Sequence, residues 1–165
     1  MADFLSTGII DSQTLQKLNL VPSPERIRMG PVAIIECPQE IPCDACVAAC
    51  PSHAISKTNI NSLPRIDFDK CTGCSLCLLA CPGLAIFVVD LSPTNGKAYV
   101  TVPYEFLPVP KRGDKVALLD RAGSEIGVGE VVKVVMSRDR TYAITLEVDY
   151  DKAMSVRAFK ISSRR

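Results

Sequence analysis

The sequence predicts an α+β chain: a short helical extension, a pseudo-twofold unit that gathers eight cysteines, and a small β-barrel-like unit. Three observations carry that reading. All eight cysteines lie within residues 37–81 of the 165. The segment around them repeats at a constant offset of 31 residues. Beyond residue 90 the cysteines stop, and short alternating apolar runs take over, separated by turns rich in Gly, Pro and Asn.

Residues 1–30 form the extension. Asp11 or Ser12 can cap a short helix with Leu15 and Leu18 on one face, because a side-chain oxygen there satisfies a free N–H of the first turn. Pro22 interrupts it. Pro24-Glu-Arg-Ile is suited to start a second helix, since the N–H that proline lacks is one the first turn leaves unbonded. Neither piece buries much surface alone. The extension therefore either packs on its own chain or serves as a docking arm for another subunit.

Residues 31–90 hold the chemistry. The run Cys71-Thr-Gly-Cys74-Ser-Leu-Cys77-Leu-Leu-Ala-Cys81-Pro82 reads C-x2-C-x2-C-x3-C-P, the spacing of bacterial [4Fe–4S] ligation. A cube of iron and sulfide needs four thiolates at its corners. Gaps of two residues wrap three of them round one face, and a helical turn carries the fourth to the other cluster of a pair. Gly73 suits a backbone passing close to inorganic sulfide. Pro82 turns the chain out after Cys81, because it cannot extend a helix.

The earlier run Cys43-Asp-Ala-Cys46-Val-Ala-Ala-Cys50-Pro51-Ser-His-Ala54-Ile55 matches Cys74-Ser-Leu-Cys77-Leu-Leu-Ala-Cys81-Pro82-Gly-Leu-Ala85-Ile86 at seven positions, Ala49 with Ala80 included. Strand-like runs flank both copies: Val32-Ala-Ile-Ile and Ile66-Asp-Phe before them, Ala54-Ile-Ser and Ala85-Ile-Phe-Val-Val after them. Two βαβ-like halves follow, each with a short helix beginning at a cysteine. Ile34, Ile55, Ile66, Ile86 and Val88 are the expected apolar shell of two clusters. Residues 56–70 read as a connecting loop. His53, the only histidine, takes the place of Leu84 in the repeat and reads as a structural residue.

The copies differ at one place. Cys71 stands three residues before Cys74, whereas the first copy has Glu40 there and Cys37 six residues before Cys43. Two cubes need eight thiolates and the chain has eight, so Cys37 is the natural candidate. Without it the first site would hold three ligands, as a [3Fe–4S] cluster or with another ligand. With the fourth cysteine of each run crossing over, Cys37, Cys43, Cys46 and Cys81 are expected to hold cluster 1. Cys50, Cys71, Cys74 and Cys77 are expected to hold cluster 2.

Residues 91–165 change character. Ala98-Tyr-Val-Thr-Val reads as a strand, and Pro103, Pro108 and Pro110 as a stiff connection. Lys115-Val-Ala-Leu-Leu-Asp and residues 126–135 read as a hairpin, and Thr141-Tyr-Ala-Ile-Thr-Leu-Glu-Val as a further strand. Asp149 caps a last short helix over residues 151–158. No paired carboxylates, nucleophile–histidine couple or phosphate-binding loop stands out, and Gly127-Val-Gly129 is too short for a nucleotide site. No catalytic residue is predicted; the unit reads as a scaffold or a subunit contact.

So many cysteines permit disulfides, zinc or iron–sulfur. The start MADFLSTGII has no basic segment and no sustained apolar core. No secretory signal is expected, which argues against a disulfide framework and for the cytoplasm. A zinc module using Cys43-x2-Cys46 and Cys71-x2-Cys74 leaves four cysteines and both Cys-Pro endings unexplained. No apolar run approaches the roughly 18 residues of a membrane span. A net charge of +1 gives no field to recruit nucleic acid. Arg157, Lys160, Arg164 and Arg165 read as a solvated end, or else as a contact for an acidic partner.

On these motifs residues 31–89 resemble a bacterial two-cluster ferredoxin. That implies a ferredoxin-like pseudo-twofold fold, two [4Fe–4S] clusters and single-electron transfer. A wider resemblance rests on Gly30-Pro-Val-Ala-Ile-Ile-Glu-Cys37, Cys81-Pro-Gly-Leu-Ala-Ile-Phe-Val-Val-Asp90 and Val102-Pro-Tyr-Glu-Phe-Leu-Pro108. These are similar to the iron–sulfur subunits of multisubunit FAD-dependent dehydrogenases of the proline, hydroxyproline or sarcosine type in anaerobic bacteria. The resemblance implies flavoprotein dehydrogenase subunits as partners in a hetero-oligomer. Their flavin takes two electrons from a C–N bond, and this chain, not catalytic alone, passes them on singly. An independent ferredoxin shuttling between separate redox enzymes is the other reading.

Overall fold

A computed structural model describes residues 4–161, so Arg164 and Arg165 of the predicted basic end lie outside the described residues. The extension holds α1 (Phe4–Thr7), α2 (Ser12–Lys17) and α3 (Pro24–Arg28). Asp11 caps α2, its carboxylate accepting the Thr14 N–H at 2.7 Å. Ser23 caps α3 in the same way, with Pro24 opening the helix. Ile10, Leu15 and Leu20 bury against one another, while Leu18 stays at the surface. The extension packs on its own chain. Ile27 of α3 joins the main core, its carbonyl accepts the Leu91 N–H at 3.2 Å, and Arg28 donates to the Tyr150 hydroxyl at 3.2 Å.

The repeat folds into β1 (Val32–Ile35), α4 (Ala45–Ala48) and β2 (Ile55–Ser56), then β3 (Arg65–Ile66), α5 (Leu76–Ala80) and β4 (Ile86–Asp90). β1 pairs antiparallel with β4, and β2 with β3. First strand meets last and the inner two meet each other, so the sequence repeat becomes a pseudo-twofold.

The remainder supplies β5 (Lys97–Tyr104), β6 (Lys115–Leu119), β7 (Glu125–Met136), β8 (Tyr142–Asp149) and β9 (Ala158–Ile161). These join β1 and β4 in one seven-stranded sheet of order β1-β4-β5-β8-β7-β6-β9. The expected barrel-like closure is corrected here: among the described residues no barrel closes. β4 hydrogen-bonds to the edge of β5 that β9 would need, so the sheet stays open and runs across residue 90.

Two element expectations also change. The helix expected over residues 151–158 is a short 3-10 turn, Tyr150–Lys152, followed by β9. Phe159 pairs opposite Leu118 of β6 and is buried, while Lys160 faces out, a period of two that a helix cannot serve. Pro103 lies inside β5 rather than in the connection after it. Pairing with β4 stops at Thr101, so one side of β5 is a free edge there, where a missing N–H is tolerated.

The alternation of β1 and β4 divides the core. Val32, Ile34, Phe87 and Val89 face the large core shared with β5 to β9. Ala33, Ile35, Ile86 and Val88 face the cysteines. Ile34 was expected in the shell around the clusters and is found on the opposite face. All four residues of β1 are buried, which is what an unbroken apolar run means when a strand is covered on both sides. Each large aliphatic side chain buried here is worth about 1.5–3 kcal/mol. Gly129 sits in β7 where a Cβ would meet Leu118 at 2.8 Å and the Glu147 carbonyl at 2.9 Å, so its place is set by close strand packing.

Candidate metal centre

The eight thiols are unpaired and stand around two hollows. One is lined by Cys37, Cys43, Cys46 and Cys81, with Ile35, Ile41 and Ile86 among the apolar walls. The other is lined by Cys50, Cys71, Cys74 and Cys77, with Ala33 and Ile55. Each hollow takes three cysteines from one run and one from the other. α4 packs against α5, so the two hollows lie on neighbouring elements.

The crossing is built by one turn used twice. The Cys50 N–H donates to the Val47 carbonyl at 3.2 Å, and the Cys81 N–H to that of Leu78 at 3.3 Å. Three residues on, His53 and Leu84 donate back to the carbonyls of Cys50 and Cys81, both at 3.2 Å. Both are left-handed, each with φ 51°. The next amide then reaches sulfur: Ala54 N–H to Cys50 Sγ at 3.3 Å, and Ala85 N–H to Cys81 Sγ at 3.4 Å. His53 thus serves the turn, as Leu84 does. The Ala33 N–H also points at Cys71 Sγ, at 3.4 Å. Backbone N–H groups aimed at sulfur stabilise thiolate charge and are one of the levers on an iron–sulfur potential.

Gly73 has φ +65°, and a Cβ there would meet Pro31 atoms at 2.6–2.7 Å. The constraint seen is left-handed backbone against the chain entering β1.

Burial pushes the Cys77 thiol up to about 12, with the charges of Cys71 and Cys74 adding to it. Cys37 and Cys46 are raised as well, by burial first and then by Cys81 and Cys43. Burial also acts against the Cys50 thiolate, but the Ser52 hydroxyl and the amides of Ala54 and Ile55 together bring that thiol below its usual range. The thiols that act on Cys37, Cys46 and Cys77 each belong to the same set of four as the group they shift. Raised thiols must lose protons on taking metal, so loading is coupled to proton release.

Among the described residues no group of three or more His, Cys, Asp or Glu gathers round a single ion position. The thiols are instead spread around hollows, as the corners of a cube require. Four sulfur donors per hollow, amides directed at sulfur and apolar walls fit an iron–sulfur cluster.

Three charged side chains that sequence reasoning passed over brace this arrangement. Lys57 lines the first hollow and donates to the backbone carbonyls of Ile41 and Cys43 in the loop entering it and of Ile60 in the following connection. Arg26 does the same for the loop leading into Cys71. Glu36, next to Cys37, is buried between Arg121 and Arg157, with its carboxylate 3.0 Å from Arg121 Nε and 2.7 Å from Arg157 Nε. Arg157 is therefore no solvated end: it is 7 % exposed and stacks over Phe87 with its guanidinium carbon 4.9 Å from the ring centroid. Burial lowers its hold on a proton, to about 10, which still leaves it charged at neutral pH. Arg26 shares its short predicted helix with Arg28, and nothing in the sequence marks which of the two reaches the ligand loop.

The repeat and its two hollows, together with a family match, support a ferredoxin-type iron–sulfur protein. Residues 41–85 match the protein family described as a 4Fe-4S dicluster domain. The match takes in seven of the cysteines and leaves Cys37 outside. No curated protein and no solved structure matches the chain. Among the described residues no helix is long and apolar enough to cross a membrane.

Proposed function

We propose that this chain is the electron-transfer subunit of a cytoplasmic FAD-dependent dehydrogenase of the amine or amino-acid type. In that role it holds two [4Fe–4S] clusters, on Cys37, Cys43, Cys46 and Cys81 and on Cys50, Cys71, Cys74 and Cys77. The observation that carries the reading is the division of eight thiols between two neighbouring hollows in crossed sets. Bound there, a cluster supplies one-electron chemistry with little change of shape. The chain's own residues orient the sulfurs, donate N–H bonds to them, and exclude water with Ile35, Ile55 and Ile86.

Phe106 and Leu107 favour a resident subunit over a free carrier. They are 70 % and 86 % exposed and fall in the stretch similar to the dehydrogenase subunits. Large apolar side chains held in water together mark a protein contact. The reducing cytoplasm suits eight unpaired thiols.

Anaerobic purification of the tagged protein from its native host tests the proposal, with iron, sulfide, flavin and companion masses measured on one sample. About eight irons per chain, with FAD and companions at fixed ratio, is the expected result. The same iron with no companion would make the chain a free ferredoxin, and zinc without sulfide would end the iron–sulfur assignment. Cys81→Ser is expected to damage the cluster held by Cys37, Cys43 and Cys46 and to spare the other. Spectroscopic loss of the other alone would overturn the crossed ligand sets.

A further inference from the structure

We infer that Lys57 and Arg26 are paired charge clamps: each fixes one cluster's ligand loop and sets one positive charge beside that cluster, so each raises one reduction potential separately. The inference rests on the two-cluster reading above. Lys57 has three N–H donors and three carbonyl acceptors: Ile60 at 2.8 Å, Ile41 at 3.4 Å and Cys43. The carbonyls of Ile41 and Ile60 also accept the Cys43 N–H, at 2.8 and 3.3 Å. One ammonium thus knots together the longer loop between Cys37 and Cys43, the single place where the repeat departs from itself.

Arg26 does the equivalent work at the second site. Its Nε donates to the Phe68 carbonyl at 2.7 Å and its Nη2 to the Cys71 carbonyl at 2.6 Å. Weaker contacts reach the carbonyls of Gly30 at 3.3 Å and Pro31 at 3.5 Å. The clamps are not products of the repeat. Lys57 has Val88 at its repeat position, and Arg26 stands on α3, outside the repeat altogether. Two unrelated segments have each placed a cation on the carbonyl of a candidate ligand cysteine, Cys43 or Cys71. This gives the extension a function within its own chain.

A neutral donor would hold a carbonyl as well; a cation also acts on the cluster. Reduction adds one negative charge to a cluster, and a nearby fixed positive charge favours that state. Among the described residues Lys57 lines its hollow directly, whereas Arg26 does not line the second hollow and shares an outer groove with Asp69. The effect of Lys57 is therefore the larger.

The test uses the full-length holoprotein under anaerobic conditions, titrated with dithionite as the electron source and followed by electron paramagnetic resonance. Lys57→Met is expected to move one cluster's midpoint to more negative potential and leave the other in place. Arg26→Met should move the other cluster, by less. Lys57→Arg and Arg26→Lys should stay near the parent values. If Lys57→Met instead loses about half its iron and Lys57→Arg recovers it, the clamp stands. Full iron with unmoved midpoints, movement of the same cluster by both variants, or iron loss that Lys57→Arg does not recover would overturn it. A parent protein lacking two clusters would instead fail the function reading, which iron and sulfide analysis reports before any variant is made.

Discussion

Glu36 lies between the metal centre and the rest of the molecule. Its neighbour in sequence is Cys37, its amide donates to the Ala85 carbonyl at 2.8 Å, and its carboxylate is shared by Arg121 and Arg157. Removing the carboxylate strands two cations, one of them with a buried Nη2 that has no partner among the described residues. Breaking a buried pair in this way costs about 3–5 kcal/mol. Glu36→Ala is therefore expected to lower the thermal midpoint strongly. Arg157→Met should lower it less, because Glu36 then keeps Arg121 and Arg157 takes its own burial cost with it. Cofactor-bearing proteins do not unfold in two states, so the rank order at one scan rate is the check. The thiols were legible in the sequence because their spacing is local. The Glu36 pairing was not, because 121 residues separate it from Arg157, and no local pattern marks a partner so distant.

Strands were more legible than their surroundings. β1, β4, β5, β6, β7 and β8 lie where apolar runs and turn residues placed them, and the caps on α2 and α3 are the residues that capping chemistry selects. What the runs could not convey was which face meets which core. Val32-Ala-Ile-Ile reads the same from both sides, and only pairing with β4 assigns Ile34 to the large core and Ile35 to the cysteines. β9 was missed because its four residues carry one deeply buried side chain, Phe159, too few to reveal a period. The two faces make opposite predictions for neighbouring residues. Ile34→Ala should cost about 2–5 kcal/mol as a cavity in the large core, with iron content and bleaching rate in air unchanged. Ile35→Ala opens the wall beside Cys37 and Cys46, and should speed air bleaching of the cluster there. Equal bleaching in the two variants would refute the division of faces.

At the scale of the whole molecule, the sequence divides at residue 90 while the sheet does not. Cysteine spacing identifies residues 31–90 as a unit because it reports ligands; it is silent on what covers the far side of the strands carrying them. That cover comes from β5 to β9, through Val100, Val102, Leu118, Ile144 and Leu146. A chain ending at Asp90 would uncover Val32, Ile34, Phe87 and Val89 and leave Glu36 without Arg121 and Arg157. Four such side chains at about 1.5–3 kcal/mol each come to roughly 6–12 kcal/mol, against a total stability of about 5–15 kcal/mol for an ordinary domain. Cluster ligation offsets part of that loss, because metal binding is itself folding free energy. The shortened chain should therefore take up iron and sulfide poorly and aggregate through its bare strand face. Size-exclusion chromatography with iron analysis after anaerobic reconstitution checks this. A monomeric product with about eight irons would show that ligation alone holds the repeat together, and that the C-terminal strands serve a neighbouring subunit rather than the clusters.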